Sequence, residues 1–284
     1  MYQTIVIPLD GSALAKRVLA HALTIARTFD CNLHLVRATE EAEGESGPTE
    51  YIAQEAASLR SAGFDVSQTV KAGSPADVII EAAEAQAEPL IAMTTHGRSG
   101  IGRWMLGSVA DKTLQASSVP LLLIRPTTEI NMTHGPFIER VLLAVDGSEL
   151  AELAIPHAAA VAKELRVTAI VVRVVQGYVA TAVDAPPSGD LAPQEPVEQD
   201  VAEERAYVSK IAGQLREQGV SEVQELVIGR WDAAEEILGA AGSPGTLIVM
   251  TSRGRSGVKR WALGSVTERV VRYGSGPVLV IRAG

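Results

Sequence analysis

The stretch TTHGRSGIGRWMLGSV, from Thr94 to Val109, returns as TSRGRSGVKRWALGSV from Thr251 to Val266. This repeat constrains the chain more than any other feature, because whatever unit folds around it must be built twice. A second pair agrees: IVIPLDGS ends at Ser12 and LLAVDGS at Ser148. Asp10 and Asp146 stand 136 residues apart, whereas Gly97 and Gly254 stand 157 apart, so the second copy gains about 20 residues between these landmarks. The gain falls in GYVATAVDAPPSGDLAPQEPVEQD, whose proline, glycine and acidic content reads as an extended, mobile loop. PTTEINMTHGP, polar with a proline near each end, reads as the linker. The expected units are 1–128 and 137–284.

Each unit alternates strand and helix patterns. TIVIPLD is β-branched and short, a strand. Ser12 suits an N-cap, and Leu14, Val18, Ala22, Ile25 and Phe29 then fall on one helical face. Strands NLHLVRA, DVSQTVKAG, PLIAMTT and PLLLIR follow, with helical patterns between them; Ser74-Pro75 fits an N-cap and first helical position. The second unit repeats this order, and Pro156, inside its first helix, predicts a kink. Alternation of this kind means an α/β fold, here two five-stranded parallel sheets with helices on both faces. In such sheets ligands bind beyond the carboxyl ends of the strands, where strand order reverses. The aspartate after strand one and the glycine loop after strand four would meet there.

Composition narrows the partners. With a formal net charge of -9 over 284 residues, the chain repels nucleic acid and anionic membranes as bulk partners. MYQTIVIPLDGS lacks the basic and long apolar parts of a signal peptide, and no apolar run approaches a membrane span, so a cytoplasmic location is expected. Cys31 is the single cysteine, which excludes an intrachain disulfide and a cysteine metal cage. His21, His34, His96, His134 and His157 show no metal spacing.

Gly107-Ser108 and Gly264-Ser265 each precede a helical pattern, where exposed N–H groups and the helix dipole favour an anion. Gly102 and Gly107 have the spacing of a P-loop, but the lysine before Ser108 is missing and Lys259 replaces Gly102 in the second copy. Neither loop spells G-x-G-x-x-G.

On these residues the chain resembles a tandem member of the universal stress protein family, two such domains fused, over nearly its whole length. The likeness rests on PLDGS, the order of elements and the loop. Nucleotide-binding members of that family carry G-x-x-G, nine residues, then G-S/T. Gly97 and Gly254 match the second glycine; Gly107-Ser108 and Gly264-Ser265 match the final pair. Thr94 and Thr251 stand where the first glycine is expected. Either their hydroxyls serve a phosphate or their Cβ atoms crowd one. The resemblance implies a Rossmann-like fold of the adenine nucleotide alpha hydrolase type. It also implies ATP, or ADP or AMP, with magnesium as an optional companion. Asp10 and Asp146 would face the ribose, and Ala38 and Val174 the adenine. Pro8, Arg98, Val109, Arg255 and Val266 complete the candidate set.

Plainer readings run beside these. The glycines also suit tight turns and N-caps, and DGS suits a turn as well as a ribose contact. Arg98 and Arg255 are phosphate clamps or solvated loop residues; Trp104 and Trp261 are read as packing rather than base-stacking. No catalytic set is visible, so a nucleotide-binding regulatory protein of the stress response is expected rather than an enzyme, any slow ATP hydrolysis being incidental. The rivals are an interaction protein without nucleotide and an enzyme of adenylated substrates. PLLLIR and PVLVIR are expected to pair, either within one chain as an internal pseudo-dimer or between chains; a homodimer stays open.

Overall fold

In the computed structural model, the described residues are 1–40, 46–95, 106–125, 138–175, 198–229, 232–254 and 263–282. The twenty-residue gain, the linker, Gly97, Arg98, Arg255, Trp104 and Trp261 lie outside them. The first unit runs β1 (Thr4–Pro8), α1 (Ala13–Lys16), α2 (Val18–Phe29), β2 (Asn32–Thr39), α3 (Ser46–Ser61), β3 (Val66–Ala72), α4 (Pro75–Glu84), β4 (Pro89–Thr94), α5 (Ser108–Ala116) and β5 (Leu121–Ile124). The second runs β6 (Arg140–Val145), α6 (Glu149–Glu152), α7 (Ile155–Leu165), β7 (Thr168–Val175), α8 (Glu198–Glu217), β8 (Val223–Gly229), α9 (Ala233–Ala241), β9 (Thr246–Thr251), α10 (Ser265–Tyr273) and β10 (Val278–Ile281).

All ten strands join one sheet, ordered β3-β2-β1-β4-β5-β10-β9-β6-β7-β8. Pairing is parallel within each unit and antiparallel where β5 meets β10, with Leu122 opposite Leu279. The expected pairing of the two fifth strands thus occurs inside the chain. Strand alternation sorts the apolar residues onto two faces. Ile5, Ile7, Leu33 and Leu35 face α1–α3, with their counterparts facing α6–α8. Val6, Val36, Ile91 and Met93 face α4 and α5, and the matching residues face α9 and α10. Each core runs unbroken through both units, and truncating a fully buried residue such as Ile5 to alanine would cost about 2–5 kcal/mol.

Two sequence expectations need correction. The first helix of each unit is not one helix. Ser12 caps α1 by accepting from the Ala15 N–H at 3.1 Å, and the helix then breaks at Arg17, whose N–H reaches back only three residues to Leu14. The second unit breaks likewise at Leu153 and Ala154. Pro156 therefore does not kink a helix interior. It sits in the first turn of α7, where its missing N–H is harmless. Its counterpart in the first unit is Ala20, so the break does not need proline. Ser74 occupies the N-cap of α4 as expected, but its side chain makes no cap bond.

Candidate nucleotide site

Within each unit the strand order reverses between the first strand and the fourth. A cavity opens there at the carboxyl edge of the sheet, about 330 Å³ in the first unit and about 390 Å³ in the second. Pro8, Asp10, Ala38, Thr94, Gly107, Ser108 and Val109 all line the first. Asp146, Val174, Thr251, Gly254, Gly264, Ser265 and Val266 all line the second. Every candidate residue within the described chain is thus brought to one of two equivalent places.

Local sequence explains the geometry. After β1 the chain must leave the sheet and start a helix within a few residues. Gly11 and Gly147 allow this by adopting φ of 84° and 81°, where a Cβ is strained. Asp10 Oδ1 accepts the Ser12 N–H at 2.9 Å, and Asp146 Oδ1 accepts the Ser148 N–H at 3.0 Å and its hydroxyl at 2.6 Å. The aspartates therefore do hold the turn, the plainer reading of DGS. In Asp146 the other oxygen, Oδ2, is turned to Gly254, and a Cβ built on Gly254 would overlap it.

Gly107 and Gly264 are the N-caps of α5 and α10, in extended backbone with φ of -61° and -64°. Each N–H donates to the strand-four exit, Gly107 to Thr95 O at 2.8 Å and Gly264 to Ser252 O at 2.9 Å. A glycine cap brings no side chain of its own to the first-turn amides, and exposed Ser108 and Ser265 line the two cavities at these helix starts. A helix end of this kind suits an anion such as a phosphate. The Thr251 hydroxyl donates to Arg253 O at 2.7 Å, and Thr267 donates to Thr251 O at 2.9 Å. Thr251, one of the two threonines in place of the motif's first glycine, thus braces its own loop through its hydroxyl.

Apolar side chains form the floor: Val36, Ile79 and Met93 in the first cavity, and Val172, Ile237 and Met250 in the second. Sequence reasoning missed them, though strand alternation read to the strand ends would have found four. It also missed Arg37 and Arg173, buried in the wall at matching positions. Glu204 of α8 grips Arg173 with both oxygens, at 2.6 and 2.8 Å. Tyr51 and Tyr207 lie behind the same walls. Burial first, and then Glu55 and Asp10, push the Tyr51 phenol up to about 12; burial, Glu152 and Asp146 do the same to Tyr207. Both phenols remain protonated at neutral pH. Among the described residues no group of three histidine, cysteine or carboxylate side chains could hold a metal ion.

Both units match the model of the universal stress protein family, over residues 1–125 and 138–282. The chain belongs to the universal stress protein family. It is 27% identical over 222 residues to a universal stress protein of Mycolicibacterium smegmatis, covering 78% of this chain and 70% of that one. A universal stress protein of Methanocaldococcus jannaschii is 30% identical over 144 residues, covering 44% of this chain and 83% of its own. Among solved structures, a universal stress protein of Archaeoglobus fulgidus has the same fold from end to end. It gives a TM-score of 0.71 at 23% identity, covering 99% of this chain and 98% of that one. No helix among the described residues is long and apolar enough to cross a membrane.

Proposed function

We propose that the protein binds an adenine nucleotide, ATP foremost, in both cavities and acts in the stress response through the surface it presents when loaded. One observation carries this reading: an anion-seeking helix N-terminus capped by glycine faces an apolar slot and an aspartate, and the arrangement is built twice. The slot would take the base, Asp10 and Asp146 the ribose, and the helix ends with Ser108 and Ser265 the phosphates. Magnesium, if it accompanies ATP, would be held mainly by the phosphates, since among the described residues neither cavity gathers three carboxylate, histidine or cysteine side chains for it. The reading is one of binding rather than catalysis.

The direct test is to purify the protein without added nucleotide, denature it, and identify released small molecules by chromatography and mass spectrometry. ATP, ADP or AMP at one or two per chain is expected. For protein that releases nothing, ATP at 100 times its Kd should add about 2.7 kcal/mol of stability and raise the melting temperature. An empty protein that shows no such rise at millimolar ATP would leave the second reading, an interaction protein without nucleotide. The feature that favours this rival is Thr251, whose hydroxyl is committed to its own loop. A steady-state assay for ATP hydrolysis separates binding from turnover; the expectation is no more than a trace.

A further inference from the structure

Arg125 and Arg282 are counterparts, each the first residue beyond the last strand of its unit. Because β5 and β10 run antiparallel side by side, each arginine emerges against the other unit. Arg282 forks onto the last turn of α5, donating to Leu114 O at 3.0 Å and Gln115 O at 2.9 Å. Arg125 donates to Tyr273 O, at the end of α10, at 3.4 Å. A cation in this place satisfies end carbonyls and complements the helix dipole. The opposite ends of the same two helices are the glycine caps of the two cavities.

The contacts close into a circuit. The Gly264 N–H donates to Ser252 O at 2.9 Å, and the Ser252 N–H donates to Ile281 O at 2.8 Å. Arg282 is the next residue and grips the end of α5. At the start of α5 the Gly107 N–H donates to Thr95 O at 2.8 Å, and the Thr95 N–H donates to Ile124 O at 2.9 Å. Arg125 is next and reaches α10, which begins at Gly264. Arg282 also feels the second cavity. Burial first, and Arg253 on that cavity's wall second, push its pKa below the usual arginine value.

We propose that this circuit couples the two sites, so that an anion bound beside Arg253 strengthens anion binding at the start of α5, and the reverse by the same factor. This rests on the reading that both cavities take nucleotide phosphates. The anion offsets the repulsion that Arg253 exerts on Arg282. Arg282 then holds the last turn of α5 more firmly, and the first-turn amides are ordered before their own phosphate arrives. The Arg125 leg, with its longer bond, carries less.

The test titrates the full chain with ATP by calorimetry, beside Gly107→Val and Gly264→Val, which leave one site each. The affinity of the first site with the second filled is compared with its affinity in Gly264→Val. A ratio of about fivefold or more is expected, falling to near one in Arg282→Met and persisting in Arg125→Met. A second readout uses Gly107→Val alone, where ATP at the second site should slow amide exchange across 108–116, and should not do so once Arg282→Met is added. Should Arg282→Met not fold, Arg282→Lys keeps the charge without the fork and should give an intermediate ratio. A ratio of one in the unaltered chain, or a ratio indifferent to Arg282, overturns the coupling while leaving nucleotide binding intact. No ATP at either site overturns the nucleotide reading, and the coupling with it.

Discussion

The two halves of the molecule share a backbone and differ in how they brace it. At the cavities they agree closely: the Asp-Gly-Ser turn, the glycine cap, the apolar floor and the wall arginine all recur at matching positions. Behind the cavities they diverge. Lys16 pairs with Glu55 in the first half, whereas in the second Glu152 lies 3.8 Å from Lys210, the charges exchanged between the helices. Arg173 is gripped by Glu204, but Pro48 stands at the matching place in α3, taking Tyr51 and Tyr207 as the common landmark. Asp232 caps α9 through the N–H groups of Ala234 and Glu235, both at 3.1 Å, while Ser74 caps α4 without a side-chain bond. Parts that face the cavity repeat; parts that support it have more than one solution.

The sharpest way to separate the halves is Gly254→Ala. Its methyl would occupy the place of the Asp146 carboxylate, so nucleotide stoichiometry should fall from two per chain to one, measured by equilibrium dialysis with ATP. Retention of two would show that Asp146 moves aside at little cost. Next in size is Glu204→Gln. Breaking a buried pair leaves Arg173 charged and poorly matched, with an expected loss of about 3 kcal/mol in urea unfolding. Pro48→Gln, at the matching place in the first half, should lose much less.

The histidines give a prediction in pH. His21 of α2 and His157 of α7 are counterparts, and burial lowers both to about 4 from 6.5. Tyr2 from the first half meets His157 Nδ1 at 2.6 Å across the junction, while Ile138 is the counterpart of Tyr2. Both histidines fold neutral. Between about pH 6.5 and 4 the unfolded chain binds more protons than the folded one, so stability falls as pH falls through that window. Each contributes up to about 3 kcal/mol of this loss. In His21→Gln, urea midpoints at pH 7 and pH 4.5 should lie closer together than in the unaltered chain; an unchanged gap would remove His21 as a source. The smallest effect is at the caps. Asp232→Ala should cost about 1 kcal/mol, and Ser74→Ala close to nothing.

Much of this was legible from residue order. The repeat, together with strand-helix alternation, was enough for the α/β units, because periodicity reports which face of each element is buried. The candidate residues of PLDGS and the glycine loop could be placed because they lie at strand ends and helix starts, which the topology gathers at one edge. Other features are set by contacts distant in sequence. Nothing near Arg17 signals the helix break, as neither glycine nor proline is present. Arg173 looks like a solvated strand residue until Glu204 folds over it. Arg282 gives no hint in sequence that its partners are the carbonyls of Leu114 and Gln115, more than 160 positions away. The hydroxyl of Thr251 gives no hint in sequence that it donates to Arg253 O, two residues on in its own loop.

The pairing of β5 with β10 has a further meaning. Were the halves separate molecules, their association would depend on concentration, and dilution would take them apart. Joined in one chain, each meets its neighbour at a fixed local concentration set by the tether. Across this seam each half also has the other half as its companion rather than a copy of itself. A change in one can therefore be answered by a change in the other without having to suit both at once. Duplication followed by fusion turns a symmetric pair into two specialists, free to drift toward different ligands or different affinities while sharing one sheet.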